Sequence, residues 1–135
     1  MVVTPLYAGL LALWLMMLSV RVVDRRRSAR VSLGDGGNPA LQRAIRAHAN
    51  FSEYVPFALL MLAILELSRF SIYVLHVLGA TLLVARVLHG YSMSFNRHFW
   101  FGRYWGAVLT FVVVIAEGLL CIYQAYVGHT VWLAD

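Results

Sequence analysis

Arg46, Asn50, Glu53 and Tyr54 fall at i, i+4, i+7 and i+8. At about 100° per residue, one helical face therefore presents a cation, an amide, an anion and a phenol. Such a face suits a small zwitterion. The same groups run straight into the apolar stretch from Val55 to Leu65, where charge usually faces a bundle interior or a water-filled cavity. Arg86, His89 and Gly90 stand at i, i+3 and i+4 further on, and Arg103 with Tyr104 opens a later apolar run. Arg86 has no acid nearby in its own segment, so either Glu53 or a ligand carboxylate must face it. The excess of cations points to an anionic ligand. The plainer reading is that Arg46 and Glu53 pair with each other while Asn50 pins helix contacts.

The other polar residues extend no such set. His48 points away from the Asn50 face, His76 lies toward the opposite end, and His129 lies at the exit of the last run. No two histidines share a close helical spacing with a carboxylate, so no metal site is expected. Cys121 is the single cysteine, which excludes an intrachain disulfide and a thiolate metal cluster. Glu117, mid-way along the last run, is expected to be neutral or bonded across helices. Glu66 is expected to face headgroups, and Tyr7, Tyr73, Tyr123 and Tyr126 to act as interfacial anchors.

The elements that must hold these groups follow from composition. The 135 residues are 61% hydrophobic with a mean hydropathy of +0.75, well above a soluble average of about 45–50% apolar. The runs Pro5 to Val20, Ala47 to Leu67, Ile72 to Leu88 and Tyr104 to Val127 approach the roughly 17–25 residues that cross a hydrocarbon core. They lack the alternation of barrel strands, so helices are the available solution. The expectation is a single all-α domain, a membrane four-helix bundle with helices near 3–27, 39–67, 71–95 and 103–128. Gly34, Gly36, Gly37, Asn38 and Pro39 form a turn, an N-cap and a helix start. The short Ser68–Ser71 stretch predicts a tight hairpin.

All eleven basic residues are arginine, and Arg21, Arg25, Arg26, Arg27, Arg30, Arg43 and Arg46 lie between the first two spans. That loop, and the one with Arg97 and Arg103, should be cytoplasmic, with both termini outside. The first span carries its charges after the apolar run, so it is expected to stay as an anchor. The net charge of +5 is juxtamembrane and suits lipid headgroups better than nucleic acid.

Two segments carry a resemblance. Arg46-Ala47, Asn50, Glu53-Tyr54 and Pro56 resemble the second-helix signature of the MAPEG family, the membrane-associated proteins of eicosanoid and glutathione metabolism. Ala85-Arg86-Val87-Leu88-His89-Gly90-Tyr91 resembles its third-helix segment in a bacterial style, and Arg26 to Ser32 is similar to the basic end of helix one in the leukotriene-forming members. The resemblance implies a four-helix protomer in a homotrimer, with glutathione held between subunits near the cytoplasmic surface. Arg26, Arg46, Asn50, Glu53, Tyr54, Arg86, His89 and Tyr91 would line that site. In several animal members a tyrosine follows the third-helix arginine by seven residues; here Met93 stands there and Tyr91 comes at five.

The resemblance also implies roles. Arg103 is similar in position to the arginine that activates the glutathione thiol, and Arg27 is the second candidate, placing the acceptor. A guanidinium donating to sulfur favours the thiolate that attacks an electrophile, and a lipophilic acceptor would enter from the bilayer. The implied protein is an inner-membrane glutathione transferase, with peroxidase activity as an extension. The alternative of the same fold is a non-catalytic lipid-binding or scaffold protein. A transporter or channel would need polar residues continuing to the far side, where Glu117 and His76 are isolated.

Overall fold

The computed structural model describes residues 1–132, with side chains through residue 127; His129 therefore lies outside the described side chains. Four helices follow in order: α1 (Val3–Ala29), α2 (Pro39–Leu67), α3 (Ile72–Ser94) and α4 (Trp100–Trp132). All four are long and apolar enough to cross a membrane. Their ends are set by local chemistry. Arg30 closes α1 in the left-handed region at φ 54°. In the following loop Gly34, Gly36 and Gly37 all adopt positive φ, a conformation that side chains resist. The Asn38 side-chain oxygen then accepts from the Ala40 and Leu41 amides at 3.0 and 3.1 Å, and Pro39 occupies the first turn, where its missing N–H is not needed. Between α2 and α3, the Ser68 and Phe70 amides return to the Ile64 and Leu65 carbonyls, closing the expected hairpin.

α4 begins at Trp100 rather than at residue 103. The Phe99 amide bonds the Asn96 carbonyl and the Gly102 amide bonds the Phe99 carbonyl, so the turn winds directly into the helix. Arg103 consequently projects from the first full turn.

α2 and α3 pack on each other and on both outer helices, whereas α1 and α4 do not meet among the described residues. The core joins Leu11 and Leu18 of α1, Phe51, Leu62 and Leu65 of α2, Leu75 and Leu82 of α3, and Val113 of α4. Between membrane helices close packing replaces the hydrophobic drive, so small residues decide where backbones approach. A Cβ added to Gly106 would lie 2.7 Å from the Ala85 carbonyl oxygen and 2.8 Å from the His89 amide nitrogen. That contact sets the α3–α4 spacing. The outward faces remain apolar, with Leu13, Met16 and Met17 of α1 and Val112, Ile115, Leu119 and Ile122 of α4 all exposed.

Two polar residues differ from the expectation, and a third narrows it. Glu66 does not simply face headgroups: its carboxylate accepts the Val2, Val3 and Thr4 amides, the latter two at 2.9 and 2.8 Å. A helix leaves its first amides without internal partners, and an anion is the favoured acceptor there. Tyr7 is a core residue rather than an anchor, because its hydroxyl reaches the His76 carbonyl oxygen and Nδ1, both at 3.1 Å. Its ring fills the space that a side chain at Gly79 would take. Tyr73, Tyr123 and Tyr126 do remain exposed. Glu117 is fully buried and neither carboxyl oxygen has a hydrogen-bond partner among the described residues, so the cross-helix bond is not the alternative realised there.

Replacing Glu66 removes an acceptor shared by three amides. Glu66→Ala should lower stability in detergent by about 2–3 kcal/mol, read as a fall in the thermal midpoint by circular dichroism. Tyr73→Ala, on an exposed side chain, should leave the midpoint nearly unchanged.

Candidate functional site

The polar set converges at the end of the bundle that carries the arginine-rich loop. The length of α2 brings Arg46 and Asn50 to this depth, α3 contributes His89 and Met93, and the first turns of α4 contribute Arg103. These five residues line a polar cavity of about 220 Å3. Beside it, a larger cleft of about 520 Å3 is bounded by His89, Trp100, Arg103, Tyr104, Ala107 and Phe111, and by Val108. His89 and Arg103 belong to both. One compartment is polar and cationic, the other mainly aromatic and aliphatic, and a guanidinium and an imidazole stand at their junction.

Arg46 and Glu53 pair at 3.8 Å, with side chains 58% and 51% exposed. The plainer reading of that pair thus holds, yet neither group is sealed off. A half-exposed pair at this distance is weak and can be exchanged for a ligand's charges. Tyr54 packs its ring on Phe111 at 5.6 Å between centroids, joining α2 to the apolar cleft.

Arg86 behaves differently. It is 1% exposed, and its partner is neither Glu53 nor an open cavity. Its Nη2 donates to the Asn50 side-chain oxygen at 2.9 Å, and its Nη1 donates to Thr110 Oγ1 at 3.4 Å. The Thr110 hydroxyl in turn donates to the Gly106 carbonyl at 2.7 Å. The guanidinium also lies 5.7 Å from the Phe51 ring centroid, within cation–π range. On the opposite side the Trp14 indole donates to the Arg86 carbonyl at 3.2 Å. Arg86 therefore lies behind the cavity and orients Asn50, which does line it.

The remaining sequence candidates are not gathered here. Arg26 turns into the loop, donating to the Ser32 and Gly34 carbonyls at 3.4 and 2.8 Å. Arg27 lines a separate concavity with Arg26, Arg30 and Val31. Tyr91 faces outward, stacked on Phe95 at 5.9 Å. Among the described residues no group of three or more His, Cys, Asp and Glu side chains forms a metal-ligand cluster. Thr110, Phe111 and Trp100 escaped the sequence reading. Steps of three and four from Arg103 through Gly106 or Ala107 to Thr110 and Phe111 carry the only signal for two of them, and Phe111 and Trp100 read as ordinary membrane aromatics.

Four membrane helices with an arginine-rich polar site at one end, built by α2, α3 and α4, define an integral membrane protein of the MAPEG class. The chain belongs to the MAPEG family, whose model matches residues 4–123. It is 40% identical over 98 residues to the inner membrane protein YecN of Escherichia coli K12, a match spanning 73% of this chain and 75% of that protein. The YecN protein of Escherichia coli O6:H1 matches to the same extent. No solved structure matches the chain significantly.

The two arginines on either side of Asn50 should separate experimentally. Asn50→Leu strands the buried Arg86 Nη2 and should cost about 2–3 kcal/mol, whereas Arg46→Gln should cost less than about 1 kcal/mol. Denaturation of the detergent-solubilised protein measures both, and equal losses would contradict the positions described for Arg46 and Arg86.

Proposed function

We propose that the protein binds glutathione in the polar cavity and transfers it to, or reduces with it, a lipophilic electrophile held in the adjoining cleft. The observation that carries this reading is the sharing of Arg103 and His89 by the two cavities. A reaction between a charged thiol and an apolar acceptor needs one residue in reach of both. Glutathione carries two carboxylates and one ammonium; Arg46 matches a carboxylate, Glu53 the ammonium, and Asn50 adds a neutral hydrogen bond, which leaves Arg103 for the sulfur.

In this mechanism Arg103 donates to the glutathione sulfur and favours its thiolate, which is otherwise the minor form of a thiol with a pKa near ~8.5. The thiolate attacks the acceptor from the polar side. With an electrophilic carbon, a C–S bond forms and the leaving group departs with its electron pair. His89 borders both partners and positions the acceptor. Binding in a preformed cationic cavity keeps the thiol at the junction, which is a gain in proximity as well as in charge stabilisation.

The assembly proposed with this function is a homotrimer. The half-exposed Arg46–Glu53 pair, the apolar outer faces of α1 and α4, and the Arg26–Arg27–Arg30 concavity support a site completed by a neighbour. Arg26 and Arg27 would then reach the ligand or the acceptor across the interface. The site, the α1–α2 loop and the α3–α4 loop face the cytoplasm of a bacterial inner membrane, with both termini outside.

An ultraviolet difference titration of the purified protein with glutathione tests the reading. Saturable thiolate absorbance should appear at neutral pH, because a lowered bound-thiol pKa shifts the rise of thiolate with pH toward acid. Arg103→Ala should return that rise to near pH ~8.5 and cut turnover about 100-fold or more, with little loss of glutathione affinity. Glu53→Gln should instead weaken binding with the thiolate shift preserved. Full activity in Arg103→Ala rules out its role, and glutathione binding without a thiolate signal favours a non-catalytic lipid-binding protein.

A further inference from the structure

A second polar concavity, of about 220 Å3, lies at the same end of the bundle but on the α1 side. It is lined by Arg25 of α1, Ala40 and Arg43 of α2, Ser94 at the end of α3, and Arg97 and His98 of the loop into α4. Arginines from three separate elements thus line one small space, and among the described residues no acid lines it. The acids nearest in sequence are engaged elsewhere: Asp24 pairs with Arg21 at 3.6 Å, and Asp35 accepts from the Gly37 amide at 2.9 Å.

Two polar atoms of these lining residues, Arg25 Nε and Ser94 Oγ, are buried without a hydrogen-bond partner among the described residues. The first turn of α2 also borders the space through Ala40, whose amide is already capped by Asn38. The backbone around the pocket is held firmly. Arg21 donates to the Ser94 carbonyl at 3.4 Å and stacks on the Phe95 ring at 4.8 Å, while the Asn96 side chain accepts the His98 amide at 3.2 Å.

We propose that this pocket binds a phosphate group. A tetrahedral oxyanion can accept from several guanidinium groups and a hydroxyl at once, whereas a carboxylate offers one planar edge. The phosphate is that of an anionic lipid headgroup or a free phosphate anion; the chemistry recognised is the same. Met93 lines this pocket and also the polar cavity of Arg46, Asn50 and Arg103, so the two are neighbours separated by one side chain. The proposal does not depend on the catalytic reading.

The full-length protein, stripped of lipid in a neutral detergent, is titrated separately with dioctanoyl-phosphatidylglycerol, dioctanoyl-phosphatidylcholine and inorganic phosphate, following thermal stability by tryptophan fluorescence. Saturable stabilisation by phosphatidylglycerol alone identifies a lipid headgroup, and stabilisation by inorganic phosphate identifies a free anion. Arg25→Gln with Arg43→Gln should weaken binding of the active probe about tenfold or more, whereas Arg69→Gln at the opposite end should not change it. Should the double variant fail to fold, Arg97→Gln, on an exposed loop, carries the same expectation. The proposal is overturned if no probe stabilises the protein, if stabilisation survives these variants, or if saturating glutathione displaces the probe and so claims the pocket as its own.

Discussion

A guanidinium buried among three membrane helices has to be satisfied by protein groups, because lipid offers no hydrogen-bond acceptor at that depth. Arg86 meets this demand at its two terminal nitrogens, with Asn50 from α2 and Thr110 from α4, both uncharged, and with the Phe51 ring as an apolar lid, while its Nε has no hydrogen-bond partner among the described residues. One side chain therefore fixes the relative rotation of α2, α3 and α4. Gly106 sets how closely α3 and α4 approach, which brings Thr110 within reach. The positions of Arg46, His89 and Arg103 follow from that arrangement, since each lies one or two turns along a helix whose rotation the Arg86 contacts have set.

The helices were readable because bilayer thickness, arginine placement and capping chemistry act locally on the chain. The Asn38 cap, the Ser68–Ser71 hairpin and all four spans are visible as strings of residues. The convergence of Arg46, Asn50, His89 and Arg103 was readable for a similar reason, since helical spacing and membrane depth place them together. Partner choice was not. Arg86 looked short of an acid because spacing along one helix cannot reveal an amide and a hydroxyl on two others. Glu66 and Tyr7 were misjudged in the same way: the amides that Glu66 accepts and the histidine that Tyr7 reaches are more than sixty residues away. Such contacts depend on which helices become neighbours.

The site is divided by solvent preference. The polar cavity holds groups that need water or a charged ligand, and the cleft beside it is walled by Trp100, Tyr104 and Phe111, aromatic residues suited to the zone between headgroups and acyl chains. Arg103, early in α4, is long enough to sit at the boundary with its stem in the apolar side and its head toward the polar one. Placing the start of α4 at Trp100 puts this arginine within the helix, where the backbone holds it more firmly than a loop would.

The buried tie between Arg86 and Asn50 also bears on the cost of placing α3 in a bilayer. A lone α3 would carry an arginine into lipid at a cost of up to about 3 kcal/mol, and the groups that offset it come from both sides of α3 in sequence, Asn50 before it and Thr110 after it. The Ser68–Ser71 hairpin makes α2 its neighbour in the chain as well as in space, so the bond that shapes the pocket also joins two consecutive spans into one insertable unit.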